Sequence, residues 1–429
     1  MRQHILLCIV YCVQGILGKK GFGPTNQEWG LSKVRPGAKL FWWLHYTTAN
    51  VTQPTDRPLI IWLQGGPGCS SSGYGNFAEI GPWDHTLKPR KHTWVQWVNV
   101  LFVDNPVGTG LSFVSNNTLY ARNNSEIATD FLKFLKNFYR KLPKFKTVPL
   151  YIFSESYGGK MAVEIALILS QAVQNGEIKS NLKGVGLGAP WISPIDSILN
   201  YAPYLLNLGL IDKDGYNIIM EAVEATKYYI DTENFESAFL MWNTIINVVK
   251  QESDEVDFYN VFRYSPTVKL RGLSEDINPQ ISKLMNRKVA RTLGIKSKFF
   301  ELINEVWSLL GTDFMKPVKH IVEALLNLTN ITVAVYTGQL DLIVNTPGTL
   351  KWVEDISFKG KDEWKDAPRL IMSEDNYRQG YYKKSGQFAF YWVNNAGHMV
   401  PGDNPSAMRF ILRDVTNNFE VNEDNVFKK

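Results

Sequence analysis

Short apolar runs recur along the chain, separated by turn residues or by apolar positions at helical spacing. Residues 40–45, 59–63, 98–103, 150–153 and 184–187 are largely apolar and end in Gly, Pro, Asn, Asp or other turn residues, which predicts strands. Residues 125–141 and 160–175 place apolar side chains three and four positions apart, which predicts helices between those strands. Strands alternating with helices point to an α/β sheet. From 194 to 310 no strand-like run occurs, and 216–230, 235–249 and 299–309 read as amphipathic helices. The strand pattern resumes at 331–335 and 388–393. The expected organisation is therefore a sheet domain in two parts, 19–193 and 311–429, interrupted by a helical insertion at 194–310 lying over one sheet edge. The acidic stretch 252–257 reads as a solvated helix end.

Ser156 carries the most specific chemistry. It lies in Phe153-Ser154-Glu155-Ser156-Tyr157-Gly158-Gly159, directly after the apolar run 148–153, where a strand turns into a helix. A nucleophile on so strained a turn needs small residues two before and two after it. Ser154 and Gly158 satisfy that in a variant of the G-x-S-x-G pattern. A serine hydroxyl needs a base to react at neutral pH, and the base needs an orienting carboxylate. His398, past the run 388–393, is the candidate base, and Asp341, past 331–335, is the candidate carboxylate. Functional groups of an open parallel sheet gather beyond the carboxyl ends of its strands, so the three are expected to meet at one edge. A fourth element, Trp62-Leu63-Gln64-Gly65-Gly66-Pro67-Gly68, follows the run 58–62. Its glycines let backbone N–H groups approach a substrate oxygen, so the N–H groups of Gly66 and Tyr157 form the expected oxyanion hole. Each element alone is as readily a chance turn or a structural histidine. Together, in the order Ser, Asp, His used by α/β-hydrolases, they predict acyl transfer.

The strings 62–71 (WLQGGPGCSS), 79–82 (EIGP), 99–113 (NVLFVDNPVGTGLSF), 155–159 (ESYGG) and 397–401 (GHMVP) carry a resemblance to the serine carboxypeptidases, the family that includes carboxypeptidase Y and cathepsin A. The strings 153–161 (FSESYGGKM), 191–197 (WISPIDS), 313–318 (DFMKPV) and 338–344 (GQLDLIV) are similar to its retinoid-inducible branch in particular. The resemblance implies an α/β-hydrolase fold with a helical cap and a peptide substrate with a free C-terminus. It further implies that Gln64, Gly65 and Glu155 hold the substrate's terminal carboxylate, that Trp62 supports this site, and that Glu79 shares a proton with Glu155. Two carboxyls held close cannot both ionise, so one stays protonated and donates to a carboxylate, which favours acidic pH. The alternative for Glu79 and Glu155 is an ordinary solvated pair. Where the family usually has Asn, this chain, like the retinoid-inducible branch, has Gln64, whose amide reaches one methylene further. Two other functions use the same residues: an acyltransferase of the same family, and a non-catalytic secreted binding protein on a hydrolase fold. Retention of Glu79 and Glu155 favours the peptidase over the first, and the complete triad disfavours the second.

Composition narrows the remaining classes. Aromatic residues at 13% and charged residues at 20% fit a packed globular enzyme and argue against disorder. The net charge of +5 is small for 429 residues. The Lys and Arg of 133–146 interleave with Phe and Leu at helical spacing, which predicts a solvated basic helix face and no nucleic-acid partner. The six histidines show no metal-binding spacing. The loop 65–68 lacks the Lys-Ser/Thr of a phosphate-binding loop, and its proline removes an N–H donor. No metal or other cofactor is expected. A charged start followed by the apolar stretch 5–13 reads as a secretory signal over 1–18, too short to span a bilayer. Five Asn-x-Ser/Thr triplets, at Asn50, Asn116, Asn123, Asn327 and Asn330, agree with the secretory route and a secreted or lysosomal destination. Cys8 and Cys12 leave with the signal, so Cys69 has no internal partner: beside the glycine-rich loop it is either a buried small apolar residue, the favoured reading, or a reactive thiol.

Overall fold

The computed structural model describes residues 19–263 and 278–417. The signal-like segment 1–18, with Cys8 and Cys12, lies outside the described residues. Among the described residues, twelve strands form one sheet: β1 (Lys19–Lys20), β2 (Asn26–Arg35), β3 (Ala38–His45), β4 (Leu59–Leu63), β5 (Asn99–Asp104), β6 (Phe113–Val114), β7 (Pro149–Glu155), β8 (Asn181–Gly188), β9 (Thr332–Gly338), β10 (Leu370–Glu374), β11 (Tyr377–Ser385) and β12 (Phe388–Val393). Their spatial order is β1-β2-β3-β5-β4-β7-β8-β9-β12-β11-β10, with β6 paired to β3 off this path. The central strands β5, β4, β7, β8, β9 and β12 run parallel, and antiparallel strands flank them on both sides.

The central strands are apolar on both faces because helices cover both. In β4, Leu59, Ile61 and Leu63 join the core formed with Phe131 and Phe134 of α1 (Asn124–Lys141) and Ile165 of α2 (Tyr157–Gln174). Ile60 and Trp62 point the other way and pack with Met408, Ile411 and Leu412 of the helix Pro405–Thr416. Helix α1 begins where the Asn123 side chain accepts the N–H of Glu126. It ends at Lys141 rather than running on through 146. Pro143, which has no N–H to donate, opens a separate tight turn at Pro143–Lys146.

Strands β2, β10 and β11 are not visible as apolar runs. β2 reads NQEWGLSKVR and lies at the half-exposed margin, where only pairing with β3 marks it as a strand. Between β8 and β9 the described chain is helical, led by Lys213–Asp231 and Phe235–Glu252. The helix expected over 299–309 begins only at Asn304. Phe300 and Leu302 instead bridge Gly110 and Cys69, and the Glu301 carbonyl accepts the N–H of Ser70 at 2.9 Å, so this stretch is tied to the glycine-rich loop. No described helix is long and apolar enough to cross a membrane.

Candidate active site

Four parallel strands end at one sheet edge, and each leads into a candidate group: β4 into Gln64, β7 into Ser156, β9 into Asp341 and β12 into His398. Ser156 occupies the sharp turn between β7 and α2 at φ 61° and ψ −128°, a conformation that costs about 1–3 kcal/mol in a residue with a side chain. Its N–H donates to the Gly188 carbonyl at 2.9 Å, and its own carbonyl accepts the N–H groups of Gly159 at 2.9 Å and Trp191 at 3.0 Å. A Cβ at Gly158 would stand 2.5 Å from the Leu63 carbonyl oxygen, which is why the position two after Ser156 has none. From Leu150 to Val163 every residue is buried except Ser156, and from Pro58 to Gly73 every residue is buried except Gly66. The expected nucleophile and expected oxyanion donor are thus the two places where these segments open to solvent. Tyr157 is the first residue of α2, and the first N–H groups of a helix have no acceptor within it.

His398 Nδ1 and Asp341 Oδ2 are 2.8 Å apart, both side chains buried, and Asp341 Oδ1 accepts the N–H of Val344 at 3.0 Å. With Nδ1 donating to the carboxylate, Nε2 carries the lone pair that a general base needs. A brace unforeseen from the sequence holds this pair. The Phe258 carbonyl accepts the N–H groups of Leu342 and Ile343 at 3.0 Å each, the Tyr259 carbonyl accepts that of His398 at 2.7 Å, and Val261 N–H donates to the Leu340 carbonyl at 3.0 Å. The Tyr259 ring lies 5.3 Å from that of His398. Asp403 Oδ2 accepts the N–H of Gly397 at 2.8 Å and so fixes the histidine loop from its far side. The brace is made by main-chain groups of 258–261, for which the sequence carries no local motif.

The second group centres on Gln64. Its Oε1 accepts Trp62 Nε1 at 2.7 Å, and its Nε2 donates to Glu79 Oε1 at 3.0 Å and to Glu155 Oε1 at 2.9 Å. Glu79 comes from the helical turn Ser71–Ile80, whose start is pinned by Asp104, acceptor from Ser70 Oγ, Ser72 N and Ser72 Oγ at 2.8 Å each. Glu79 and Glu155 are 3% exposed, so they are not the solvated pair that sequence left open. Burial pushes the Glu79 carboxyl up to about 7, against the pull of hydrogen bonds from Glu155 and Gln64. Burial and then the charge of Glu79 hold Glu155 well above the usual carboxylate range. The Oε2 atoms of both are buried without a hydrogen-bond partner, and the charge of Glu79 disfavours ionisation of Glu155, so the two do not readily ionise together. Gly65 joins this group to Ser156: a Cβ there would be 2.7 Å from both Ser156 Cβ and the Glu155 carbonyl oxygen. Both groups belong to the one edge where β4, β7, β9 and β12 end.

Cys69 is buried, and burial followed by the charges of Glu301, Glu155, Glu79 and Asp104 pushes its thiol well up, away from a reactive thiolate. Asn50, Asn116, Asn327 and Asn330 are exposed, whereas Asn123 is half-buried and engaged as the cap of α1. No group of three or more His, Cys, Asp or Glu among the described residues is arranged to hold a metal ion.

The serine carboxypeptidase family model matches residues 19–418. Retinoid-inducible serine carboxypeptidase of Rattus norvegicus is 40% identical over 416 residues, covering 91% of each chain. Serine carboxypeptidase-like 51 of Arabidopsis thaliana is 36% identical over 451 residues, covering 96% of this chain and 97% of that one. Among solved structures, a prohormone-processing carboxypeptidase from Saccharomyces cerevisiae superposes with a TM-score of 0.80 over 92% of each chain at 24% identity, a likeness of fold. The family match, which runs through the nucleophile turn, the glycine-rich loop and the histidine loop alike, establishes that the chain belongs to the serine carboxypeptidase family, with its α/β-hydrolase fold.

Proposed function

We propose that this protein removes C-terminal residues from peptides by an acyl-enzyme mechanism at acidic pH, with the following roles. Ser156 Oγ attacks the last peptide carbonyl while His398 Nε2 takes its proton, and Asp341 keeps the imidazole oriented through Nδ1. The N–H groups of Gly66 and Tyr157 receive the negative charge of the tetrahedral oxygen. His398 returns the proton to the departing amino acid, and water enters by the same route in reverse to free the shortened peptide. Gln64, Gly65, Glu155 and Glu79, supported by Trp62, hold the terminal carboxylate. The helices between β8 and β9 act as the cap shaping the pocket for neighbouring side chains. The sequons support passage through the secretory route to a secreted or lysosomal location, with Asn50, Asn116, Asn327 and Asn330 better placed for glycans than Asn123.

The observation that carries this reading is the buried carboxyl pair Glu79 and Glu155, bridged by Gln64, with Glu155 next to Ser156. An esterase or an endopeptidase has no use for it, whereas a free C-terminus supplies a carboxylate that its proton can meet. The test is mass spectrometry of free and amidated peptides incubated at acidic pH with wild type and Ser156→Ala. Stepwise trimming of the free peptides, lost in the variant, supports the reading. Intact peptides, acyl transfer to an added alcohol in place of hydrolysis, or cleavage within the chain overturns it.

A further inference from the structure

The strings 153–161 and 313–318, both similar to the retinoid-inducible branch, meet in the fold around one buried carboxylate outside the triad and the Gln64 group. Asp313 lies in the short helix Gly311–Met315. Its Oδ2 accepts Tyr157 Oη at 2.7 Å, and its Oδ1 accepts the N–H of Asn124 at 3.1 Å. Lys160 Nζ is 3.4 Å from Oδ2, and it also donates to the main-chain carbonyls of Asp313 and of Lys316, the latter at 2.8 Å. Tyr157 and Lys160 are fully buried and Asp313 is 7% exposed. The next residue, Phe314, stacks on Trp191 at 4.9 Å and accepts its Nε1 at 2.9 Å, while the Trp191 N–H donates to the carbonyl of Ser156.

Stability alone is a poor reason for such a cluster, because an apolar set of the same size commonly holds a fold as well as a buried ion pair does. Its position suggests a second reason. Tyr157 and Lys160 are three residues apart on the first turn of α2, so both reach the same side and the same carboxylate. That turn follows Ser156 directly, and a positive-φ residue keeps its conformation only where its surroundings over-determine it. Strand pairing of β7 constrains the approach to Ser156, and the Asp313 cluster constrains the exit. We propose that Asp313 is a positioning residue for the reaction: by gripping Tyr157 and Lys160 together it holds the Ser156 turn, and the Tyr157 N–H with it, in register for the tetrahedral oxygen.

This inference rests on the roles proposed above for Ser156 and Tyr157. It places the effect of Asp313 in the transition state and not in ground-state binding. Tyr157→Phe keeps the ring and deletes one bond to Asp313, and Asp313→Asn keeps the shape and deletes the charge. Each is compared with wild type for kcat and KM on a free-acid peptide, for affinity toward a peptide aldehyde that adds reversibly to a catalytic serine, and for fluorophosphonate labelling. Expected is a loss of roughly tenfold in both kcat and aldehyde affinity for Tyr157→Phe, with KM nearly unchanged and a double variant little worse than Asp313→Asn alone. Should Asp313→Asn not fold, Lys160→Gln combined with it removes both charges, and the same kcat loss is expected there. Wild-type kcat and aldehyde affinity in Tyr157→Phe, or losses that multiply in the double variant, overturn the positioning role. Wild type that takes no label at Ser156 overturns instead the nucleophile assignment beneath it.

Discussion

Glu155 and Glu79, 76 positions apart in the chain, are bridged by one amide, with Gln64 Nε2 2.9 Å from an oxygen of the first and 3.0 Å from an oxygen of the second. The bridge sets a pair of buried, raised carboxyls directly against Ser156, where the proposed terminal-carboxylate site would titrate.

Its pH dependence has a definite sign. Both carboxyls are raised in the folded protein, so the contribution of each to stability is fully present below the usual carboxylate range and is lost as pH rises through its raised folded value; for Glu79 the loss runs through about 7, by up to ~3 kcal/mol. Melting temperature is therefore expected to fall from mildly acidic to neutral pH, and Glu79→Gln is expected to flatten that slope, as thermal unfolding across this range will reveal. Over the same window KM for free-acid peptides rises in wild type, because the proton that meets the substrate carboxylate is lost. Glu155→Gln keeps a donor that does not ionise and levels this rise, while amidated peptides respond little in either protein. Parallel profiles for both proteins on both substrates would remove Glu155 from the site.

Asp341 and His398 are predicted to act as one unit with Ser156. His398→Ala is expected to lower kcat by about a million-fold and Asp341→Asn by about ten-thousand-fold, and the double variant should match His398→Ala alone. Single-turnover kinetics on one peptide series suffices, and multiplicative losses would mean the two do not share a step.

Gln64→Ala leaves Trp62 Nε1 and both carboxyls without their common partner in a buried site, at a cost of about 1–3 kcal/mol. The variant is expected to unfold at lower denaturant concentration and to raise KM for free-acid peptides more than for amidated ones. An equal rise for both substrates would limit Gln64 to a structural role.

Cys69 is expected to resist iodoacetamide in the folded protein and to react fully after denaturation, since burial and four nearby carboxylates all disfavour its thiolate. Peptide mapping of the alkylated protein checks this, and ready modification at native pH would show that the glycine-rich loop opens.

How far the sequence reaches depends on whether a requirement is local. The turn at Ser156 demands a strand before it, a helix after it and a small residue at Gly158, and these demands fall within a few positions, so they could be read directly. Trp62 and Gln64 are two apart and therefore share a face, and the same spacing relates Phe153 and Glu155. The brace from 258–261 against His398 and the grip of Asp313 on Tyr157 were not visible, since each joins residues more than a hundred positions apart through groups with no local motif. The same holds for β2, β10 and β11, whose polar faces hide a strand that only a neighbour completes. The sequence by itself determined the α/β alternation, the placement of Ser156, Asp341 and His398 past the ends of three strands, and the glycine loop beside them. Tertiary structure alone decided that Glu79 and Glu155 are buried together on the Gln64 amide with both carboxyls raised, because a carboxyl's protonation follows from its solvation and its neighbours, and these exist only once β4, β7 and the turn 71–80 have packed against one another.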